Sequence, residues 1–189
     1  MIPAKAPGGD AHLVETAVSS EVVFDGKLLH VRRDEVRLPD GSVATREYIV
    51  HPGAVLIVPV RDDGRLVVER QYRHPIGRVL LEFPAGKLDP GEDALVTGRR
   101  ELAEETGYTA SSWQALGRIH PVVGYSSEAI DIYVARGLAH VGARLDDGEF
   151  LEVRTMGVDE MLAALDRGEI TDAKTVVALL LYARLGCRP

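Results

Sequence analysis

The sequence contains little cysteine, few aromatic residues and no long hydrophobic run. Among its 189 residues there is one cysteine, Cys187, so no disulfide can form within the chain, and a reducing compartment such as the cytoplasm is predicted. The longest apolar runs, 54–60 and 176–183, are too short to span a bilayer, and the first ten residues lack the apolar core of a signal peptide. We therefore expect a cytoplasmic protein without membrane attachment.

Positive charge is also scarce. The 22 Lys and Arg residues against 29 Asp and Glu residues give a formal net charge of −7. Because nucleic-acid binding needs clustered cations, this balance argues against a nucleic-acid partner, and any phosphate must be bound at a local site or through a metal ion. The 46% of hydrophobic and 27% of charged residues are typical of a folded globule, and the length suits one domain with a small appendage.

The order of predicted elements indicates an α/β fold with a mixed sheet and helices packed on its faces. Residues 1–18 are assigned to a flexible tail. Alternating residues from 19 to 50, interrupted by the turn signals Asp25-Gly26 and Pro39-Asp40-Gly41, predict a small antiparallel β unit. Residues 51–189 form the main predicted domain, with buried strands, a helix at 93–106 and two later amphipathic helices, the last beginning at Asp172 and ending at Gly186.

The helix predicted at 93–106 carries the most informative side chains. Glu101, Glu104 and Glu105 are spaced by three and four residues, which places all three carboxylates on one face of the helix. Such residues usually form a solvated surface, but carboxylate oxygens are also the ligands that Mg²⁺ prefers. A cation held there could bridge the carboxylates to the phosphates of a substrate.

The spacing around these glutamates resembles the Nudix box. Every non-apolar position of the box is matched in this sequence. The box positions, including the two apolar ones, are occupied by Gly86, Glu92, Arg100, Glu101, Leu102, Glu104, Glu105, Gly107 and Tyr108. Tyr108 stands where an aliphatic residue is usual, and Gly98 stands where alanine is common. The resemblance implies a Nudix α/β/α sandwich that hydrolyses nucleoside diphosphate compounds with Mg²⁺ or Mn²⁺. It also implies metal ligands, namely Glu101, Glu104, Glu105 and the carbonyl of Ala85, with Gly86, Glu92 and Arg100 supporting the cluster.

Beyond the box, the chain resembles the ADP-ribose pyrophosphatase subfamily over roughly residues 19–185. The resemblance rests on VFDGKLLHVRRDEVRLPDG, on QYRHPIGRVLLEFPAGKLDPGE and on GEITDAKTVVALLLY. In that subfamily the N-terminal unit is exchanged across a homodimer, so a homodimer is the expected assembly. Arg46 and Arg73 then become candidates for gripping phosphates or the adenosine side, since a guanidinium binds phosphate through two bonds, and Glu82 becomes a candidate for the nucleoside.

Two loops complete the site that the resemblance implies. HPVVGYSSEAID is similar to the substrate loop of the subfamily, with Gly124 and Glu128 at the matching positions and Val123 in place of the proline associated with ADP-ribose. The acidic loop LDDGEFLEV supplies the general base, with Glu149 as first choice and Asp147 as second. Glu104 is the alternative base.

The predicted activity is hydrolysis of ADP-ribose to AMP and ribose 5-phosphate. Val123 leaves open the same chemistry on another nucleoside diphosphate sugar or on a dinucleotide. A non-catalytic Nudix domain that senses ADP-ribose is the alternative from a different class, although such domains usually have a decayed box or an attached DNA-binding domain.

Overall fold

The structure, a computed structural model, describes residues 9–145, 148 and 150–186. These residues belong to two compact units. The N-terminal unit contains the chain up to His51 together with Val122–Glu128, and the main unit contains Pro52–Pro121 and the chain from Ala129 onward. The loop 122–128 therefore groups with residues that are about seventy positions earlier in the sequence.

The N-terminal unit is a three-stranded antiparallel sheet, as its alternating pattern predicts. Its strands are β1 (Thr16–Asp25), β2 (His30–Arg37) and β3 (Val43–Ile49), in the order β1-β2-β3. Both predicted hairpins are confirmed, since β1 pairs with β2 and β2 pairs with β3. The second turn needs Gly41, whose φ of 87° is a conformation that other residues rarely adopt. The first strand begins at Thr16, within the stretch 1–18 that the sequence assigned to a tail.

The loop 122–128 lies along the end of β3. The Ile49 N–H donates to the carbonyl of Tyr125 at 2.9 Å, and the Ser127 N–H donates to the carbonyl of Ile49 at 3.0 Å. The Ser127 hydroxyl also accepts the His51 N–H at 2.9 Å. These bonds extend the β3 edge by a short parallel bridge and give the predicted substrate loop a defined backbone.

The main unit combines two sheets with three helices. Its strands are β4 (Ala54–Pro59), β5 (Leu66–Arg73), β6 (Arg78–Glu82), β7 (Ala85–Lys87), β8 (Tyr108–Ile119), β9 (Ile130–His140) and β10 (Leu151–Met156). Its helices are α1 (Ala94–Thr106), α2 (Val158–Asp166) and α3 (Ala173–Leu181). One sheet has the order β7-β4-β9-β8, in which β4 and β9 are parallel and the other pairs are antiparallel, and the other has the antiparallel order β10-β5-β6.

Strand β4 shows how the layers are arranged, because every residue in it is buried. Leu56 and Val58 belong to one core cluster with Met161 of α2 and Leu179 of α3. Their neighbours Val55 and Ile57 belong to a second cluster with Leu102 of α1. Because successive side chains of a strand point to opposite faces, the helices cover both faces of the sheet, and the predicted α/β/α sandwich with a mixed sheet is confirmed.

The helix of the box begins and ends where the sequence predicts. The Asp93 side chain caps it by accepting the Leu95 N–H at 2.9 Å, and Gly107 ends it with a φ of 71°. Gly98, which stands where alanine is common in the box, lies against the sheet. A Cβ there would be 3.3 Å from Val55, so glycine allows the helix to approach β4 closely.

The last helix changes its geometry before it ends. Asp172 caps α3 by accepting the Thr175 N–H at 3.0 Å, as the sequence indicates. The α-helix ends at Leu181 and is followed directly by a π-helical segment, Tyr182–Gly186, so the helical stretch ends at Gly186 as predicted, but its last five residues are not α-helical. None of the helices in the described part of the chain is both long and apolar enough to cross a membrane.

Candidate metal and phosphate site

The strand and the helix of the box are in contact, because the backbone of β7 touches two glutamates of α1. Ala85 pairs with Leu56 of β4, which holds the strand beside the helix. The Ala85 N–H donates to Glu105 Oε2 at 3.0 Å, and Glu105 is only 4% exposed. A buried carboxylate must be hydrogen-bonded, and here the partner comes from the residue whose carbonyl is a predicted ligand. The contact therefore sets the position of Glu105 relative to that carbonyl.

Gly86 provides the space that Glu101 occupies. A Cβ on Gly86 would lie 1.9 Å from both the carboxyl carbon and the Oε1 atom of Glu101. No side chain fits at that distance, so the Glu101 carboxylate rests directly against the backbone of β7. The glycine of the box is thus required by packing against a predicted ligand.

Arg100 gathers three of the carboxylates. Its Nη1 donates to Glu101 Oε1 at 2.8 Å and to Glu104 Oε2 at 3.2 Å, and its Nη2 donates to Glu92 Oε2 at 3.1 Å. The hydrogen bond to Glu92 is the main reason that the pKa of the guanidinium is raised above its ordinary value. Arg100 therefore stays charged while it holds the acidic groups together.

Thr97 is a member of this network that the sequence analysis missed. It is fully buried, and its hydroxyl donates to Glu92 Oε2 at 2.8 Å. The hydrogen bonds from Arg100 and then from Thr97 lower the pKa of Glu92. The position of Thr97, one turn after the cap residue Asp93, was the available signal that its hydroxyl would lie near the residue preceding the cap.

The donor set suits a hard divalent cation. Three carboxylates bind the one guanidinium of Arg100, and a fourth, Glu105, follows on the same helix, which leaves an excess of negative charge. All the side-chain groups that could bind a cation here offer oxygen atoms. Within the described part of the chain, no three His, Cys, Asp or Glu side chains already converge as a metal-binding group. Several of the carboxylates are directed at Arg100 instead. The notch at Gly86 and the burial of Glu105 nevertheless fit the residues to a metal ion, because they hold two predicted ligands against the same short strand.

A cavity of about 330 Å³ opens beside the exposed side of this cluster. It is lined by Arg100, Ala103, Glu104, Val141, Gly142 and Arg144. Residues 141–144 are tied to the end of α1, since the Val141 N–H donates to Gly107 O at 2.7 Å and the Arg144 N–H donates to Glu104 O at 2.9 Å. A Cβ on Gly107 would lie 2.6 Å from the backbone of that segment, so this box glycine also permits a close approach. The two candidate bases that follow, Asp147 and Glu149, lie outside the described residues.

Arg73 and Glu82, predicted as substrate residues, are bound to each other. Arg73 donates to Glu82 through Nε and Nη2, both at 2.8 Å, and Lys174 of α3 also donates to Glu82. Burial by itself would raise the pKa of Glu82, which is 1% exposed, but the hydrogen bonds from Arg73 and Lys174 outweigh it and lower the pKa. Lys174 is 92 residues from Glu82 in sequence, and no local pattern indicates the contact.

The remaining predicted substrate residues lie in the N-terminal unit. Arg46 is on β3 and donates to Glu15 through Nε at 2.9 Å. Glu128 lies 3.7 Å from His51, measured between Oε1 and Nε2. Gly124 is exposed in the loop 122–128, and its neighbour Val123 is 81% exposed. Their contacts with a substrate stay predictions.

Two known domain families match this chain, one over the N-terminal strands and one over the main unit. Residues 50–179 match the Nudix domain, and residues 15–49 match the N-terminal domain of nucleoside diphosphate sugar hydrolases. A solved structure described as an ADP compounds hydrolase superposes with a TM-score of 0.81 at 28% identity, covering 90% of this chain and 92% of that chain.

Similar sequences cover most of this chain. The methanol dehydrogenase activator of Bacillus methanolicus is 38% identical over 167 residues, which are 87% of this chain and 90% of that protein. The ADP-ribose pyrophosphatase of Bacillus subtilis is 36% identical, with 88% of this chain and 91% of that protein covered. The ADP-ribose pyrophosphatase of Mycobacterium tuberculosis is 41% identical, with 89% and 83% covered. Together with the Nudix match over 50–179 and the box geometry on α1, these similarities show that the chain belongs to the Nudix hydrolase family.

Proposed function

We propose that this chain hydrolyses the pyrophosphate of ADP-ribose to AMP and ribose 5-phosphate with Mg²⁺, or with Mn²⁺ in its place. The observation that carries the proposal is the acidic cluster of α1, held by Arg100 and pressed against β7 at Gly86. Relatives named ADP-ribose pyrophosphatase, with 36% and 41% identity, support the choice of substrate. The single cysteine agrees with a cytoplasmic location.

In this proposal the residues of the box bind the metal ion and the acidic loop supplies the general base. Glu101, Glu104, Glu105 and the Ala85 carbonyl would hold the metal, and Gly86, Glu92 and Arg100 would keep these ligands in place. When bound, a divalent cation supplies charge stabilisation for the pyrophosphate. Glu149, or Glu104 in its place, would accept a proton from the attacking water as its oxygen bonds to phosphorus. The bond from phosphorus to the bridging oxygen then breaks, and one phosphate leaves with each product.

The proposed substrate-binding residues are those that the resemblance to ADP-ribose pyrophosphatases implies. Arg46 and Arg73 would contact the phosphates or the adenosine side, and Glu82 would contact the nucleoside. Gly124 and Glu128 would belong to the substrate loop. Guanidinium groups suit this role because they bind phosphate oxygens through two parallel hydrogen bonds.

We also propose that the protein is a homodimer formed through the N-terminal unit. The three strands of this unit leave apolar side chains uncovered, with Val18, Val22 and Phe24 each more than half exposed. Within the described part of those strands, Val36 is the buried residue. A second copy of the chain would cover such a surface. Light scattering at micromolar concentration should give twice the chain mass, and a monomer that persists at high concentration would exclude the dimer.

A second candidate keeps the chemistry and changes the substrate. The match of residues 15–49 to the N-terminal domain of nucleoside diphosphate sugar hydrolases fits other nucleoside diphosphate sugars equally well. Val123 favours this candidate, because it replaces the proline that the ADP-ribose resemblance would place in the loop.

Product analysis of the purified protein with Mg²⁺ tests the proposal. The panel contains ADP-ribose, other nucleoside diphosphate sugars, NADH and diadenosine polyphosphates. Metal-dependent release of AMP and ribose 5-phosphate, faster than from the other compounds, is the expected result. A faster substrate elsewhere in the panel would favour the second candidate. Tight binding of ADP-ribose without any turnover would instead favour a sensing domain.

Replacing Gly86 by alanine should weaken cation binding without unfolding the protein. The new Cβ would occupy the place of the Glu101 carboxylate, which can move because it is the end of a flexible side chain. We expect about tenfold to a hundredfold weaker binding of Mn²⁺ and a similar loss of activity, as is typical when a ligand's support is disturbed. Titration of Mn²⁺ by electron paramagnetic resonance measures the effect.

Gly117→Ala is the matched control for that substitution. Gly117 lies in β8, and the nearest atom to an added Cβ is Leu181 Cδ1 at 3.9 Å. The control should bind Mn²⁺ as the original protein does. Equal affinities for Gly86→Ala and the original protein would show that Glu101 does not hold the metal.

A further inference from the structure

The backbone just before β7 is anchored by the last helix. Strand β6 ends its ladder at Glu82, which pairs with Glu69, so the next amide, that of Phe83, lies beyond the sheet. The Phe83 N–H donates to the Thr175 hydroxyl oxygen at 3.1 Å, across 92 residues of sequence. Phe83 and Thr175 are both fully buried. Because a buried N–H requires an acceptor, this hydroxyl holds the chain where it leaves β6.

Thr175 is itself held rigidly in place. Its own N–H donates to Asp172 Oδ2 at 3.0 Å, which is the cap of α3. Lys174, its neighbour, donates to both Asp172 and the buried Glu82. The first turn of α3 therefore binds two consecutive residues at the end of β6, through the side chain of Glu82 and the backbone of Phe83.

The same segment carries the contacts of two predicted metal ligands. Two residues after Phe83, the Ala85 N–H donates to Glu105. One residue later, Gly86 gives Glu101 its space. Gly86 follows Phe83 by only three residues, so a displacement of the Phe83 amide has little chain over which to be absorbed. Between them the carbonyl of Pro84 accepts the Ile57 N–H at 2.9 Å, so Thr175 and β4 together hold this segment.

We propose that Thr175 is a positioning residue for the metal site: by fixing the Phe83 amide, its hydroxyl sets where Ala85 and Gly86 meet Glu105 and Glu101. This inference rests on the proposed function, because it takes these carboxylates as metal ligands. Thr175 acts through the backbone and touches neither the metal nor the substrate. The alternative is that Thr175 only fills space in the core, in which case a side chain of equal size would serve as well.

Thr175→Val separates the two roles, because valine keeps the volume and loses the acceptor. We expect Thr175→Val to bind Mn²⁺ about tenfold more weakly, in the range typical for loss of a ligand's support. Hydrogen exchange of the peptide covering 82–86 should accelerate in the metal-free protein. Thr175→Ser, which restores the hydroxyl, should return both values close to those of the original protein. If Thr175→Val does not fold, Thr175→Cys takes its place, since a thiol is a weak acceptor.

Leu179→Ala is the control for general loss of stability. Leu179 is a fully buried residue of the same helix, but it belongs to the apolar core. It should lower the stability and leave Mn²⁺ affinity unchanged. Equal Mn²⁺ affinity in Thr175→Val and the original protein, or the same loss in Leu179→Ala as in Thr175→Val, would overturn the inference.

These measurements are independent of turnover. A protein that binds Mn²⁺ with the expected dependence on Thr175, yet hydrolyses no compound of the panel, would refute the proposed activity and leave this inference standing. A protein that hydrolyses ADP-ribose while Thr175→Val binds Mn²⁺ normally would refute this inference alone.

Discussion

Replacing Glu105 by glutamine should lower the turnover of ADP-ribose by about a thousandfold or more, because a metal ligand contributes several kcal/mol to the stabilisation of the reacting charge. Glutamine has the shape of glutamate, and its oxygen can still accept the Ala85 N–H that Glu105 accepts at 3.0 Å. The other carboxylate oxygen becomes an NH₂ group, which donates hydrogen bonds and whose delocalised lone pair does not bind a cation. The fold should therefore survive while the ligand is lost. Steady-state kinetics with saturating Mg²⁺ measure the effect.

Glu160→Gln is the matched control for Glu105→Gln. Glu160 also accepts one backbone N–H, that of Gly157 at 3.2 Å, but it lies at the start of α2 and outside the box. Its replacement should leave turnover within about twofold, as expected for an exposed substitution. Unchanged turnover in Glu105→Gln would remove this face of α1 from the mechanism.

Replacing Glu82 by glutamine should destabilise the protein by about 2 kcal/mol, because a buried carboxylate that accepts hydrogen bonds from two cations is replaced by a neutral group. Glu82 is 1% exposed and binds both Arg73 and Lys174, whose side chains are 37% and 17% exposed. Glutamine can accept one hydrogen bond from these groups but offers no charge. Urea unfolding followed by circular dichroism gives the change in the free energy of unfolding.

Glu152→Gln tests whether burial is the cause. Glu152 also binds two cations, Arg70 at 2.9 Å and Arg154 at 2.8 Å, but its side chain is 55% exposed. Exposed ion pairs contribute about 1 kcal/mol or less, so this variant should lose much less stability than Glu82→Gln. An equal loss of stability in Glu82→Gln and Glu152→Gln would show that burial does not strengthen the ion pairs of Glu82.

The effect of Glu82 should depend on pH in one direction. Its pKa in the folded protein is lowered, since the hydrogen bonds from Arg73 and Lys174 outweigh the opposing effect of burial. A lowered pKa means that the stabilisation is complete above the unfolded-state pKa of about 4.3 and is lost as the pH falls through the folded value. The difference in stability between the original protein and Glu82→Gln should be constant from neutral pH to about pH 5 and should narrow in more acidic solution. A difference that widens on acidification would contradict the assigned ion pairs.

Local sequence signals predicted the box helix well. Asp93 and Gly107 lie at its two ends in the structure, and the spacing of Glu101, Glu104 and Glu105 indicated one face. These features depend on contacts between residues a few positions apart, which periodicity and capping describe directly. For the same reason the two hairpins of the N-terminal unit were predictable.

Contacts across long stretches of sequence were not predictable in this way. From the sequence, Gly98 was only a departure from the usual alanine of the box, whereas the structure shows that it allows α1 to approach β4. It treated Arg73 and Glu82 as separate substrate residues, whereas the structure binds them to each other and to Lys174. The change from α to π geometry after Leu181 was also not predictable, because the apolar pattern continues into Tyr182–Gly186.

The sequence by itself determined the family, the acidic face of α1 and the type of metal that its oxygen donors suit, because the residue types and their spacing within one helix are enough for that. Only the tertiary structure decided how the proposed metal ligands are supported. Glu101 lies against Gly86, Glu105 binds the Ala85 amide, and Thr175 holds the Phe83 amide from a helix about ninety residues away. Such contacts follow from how the strands and helices pack, which no local pattern of residues contains.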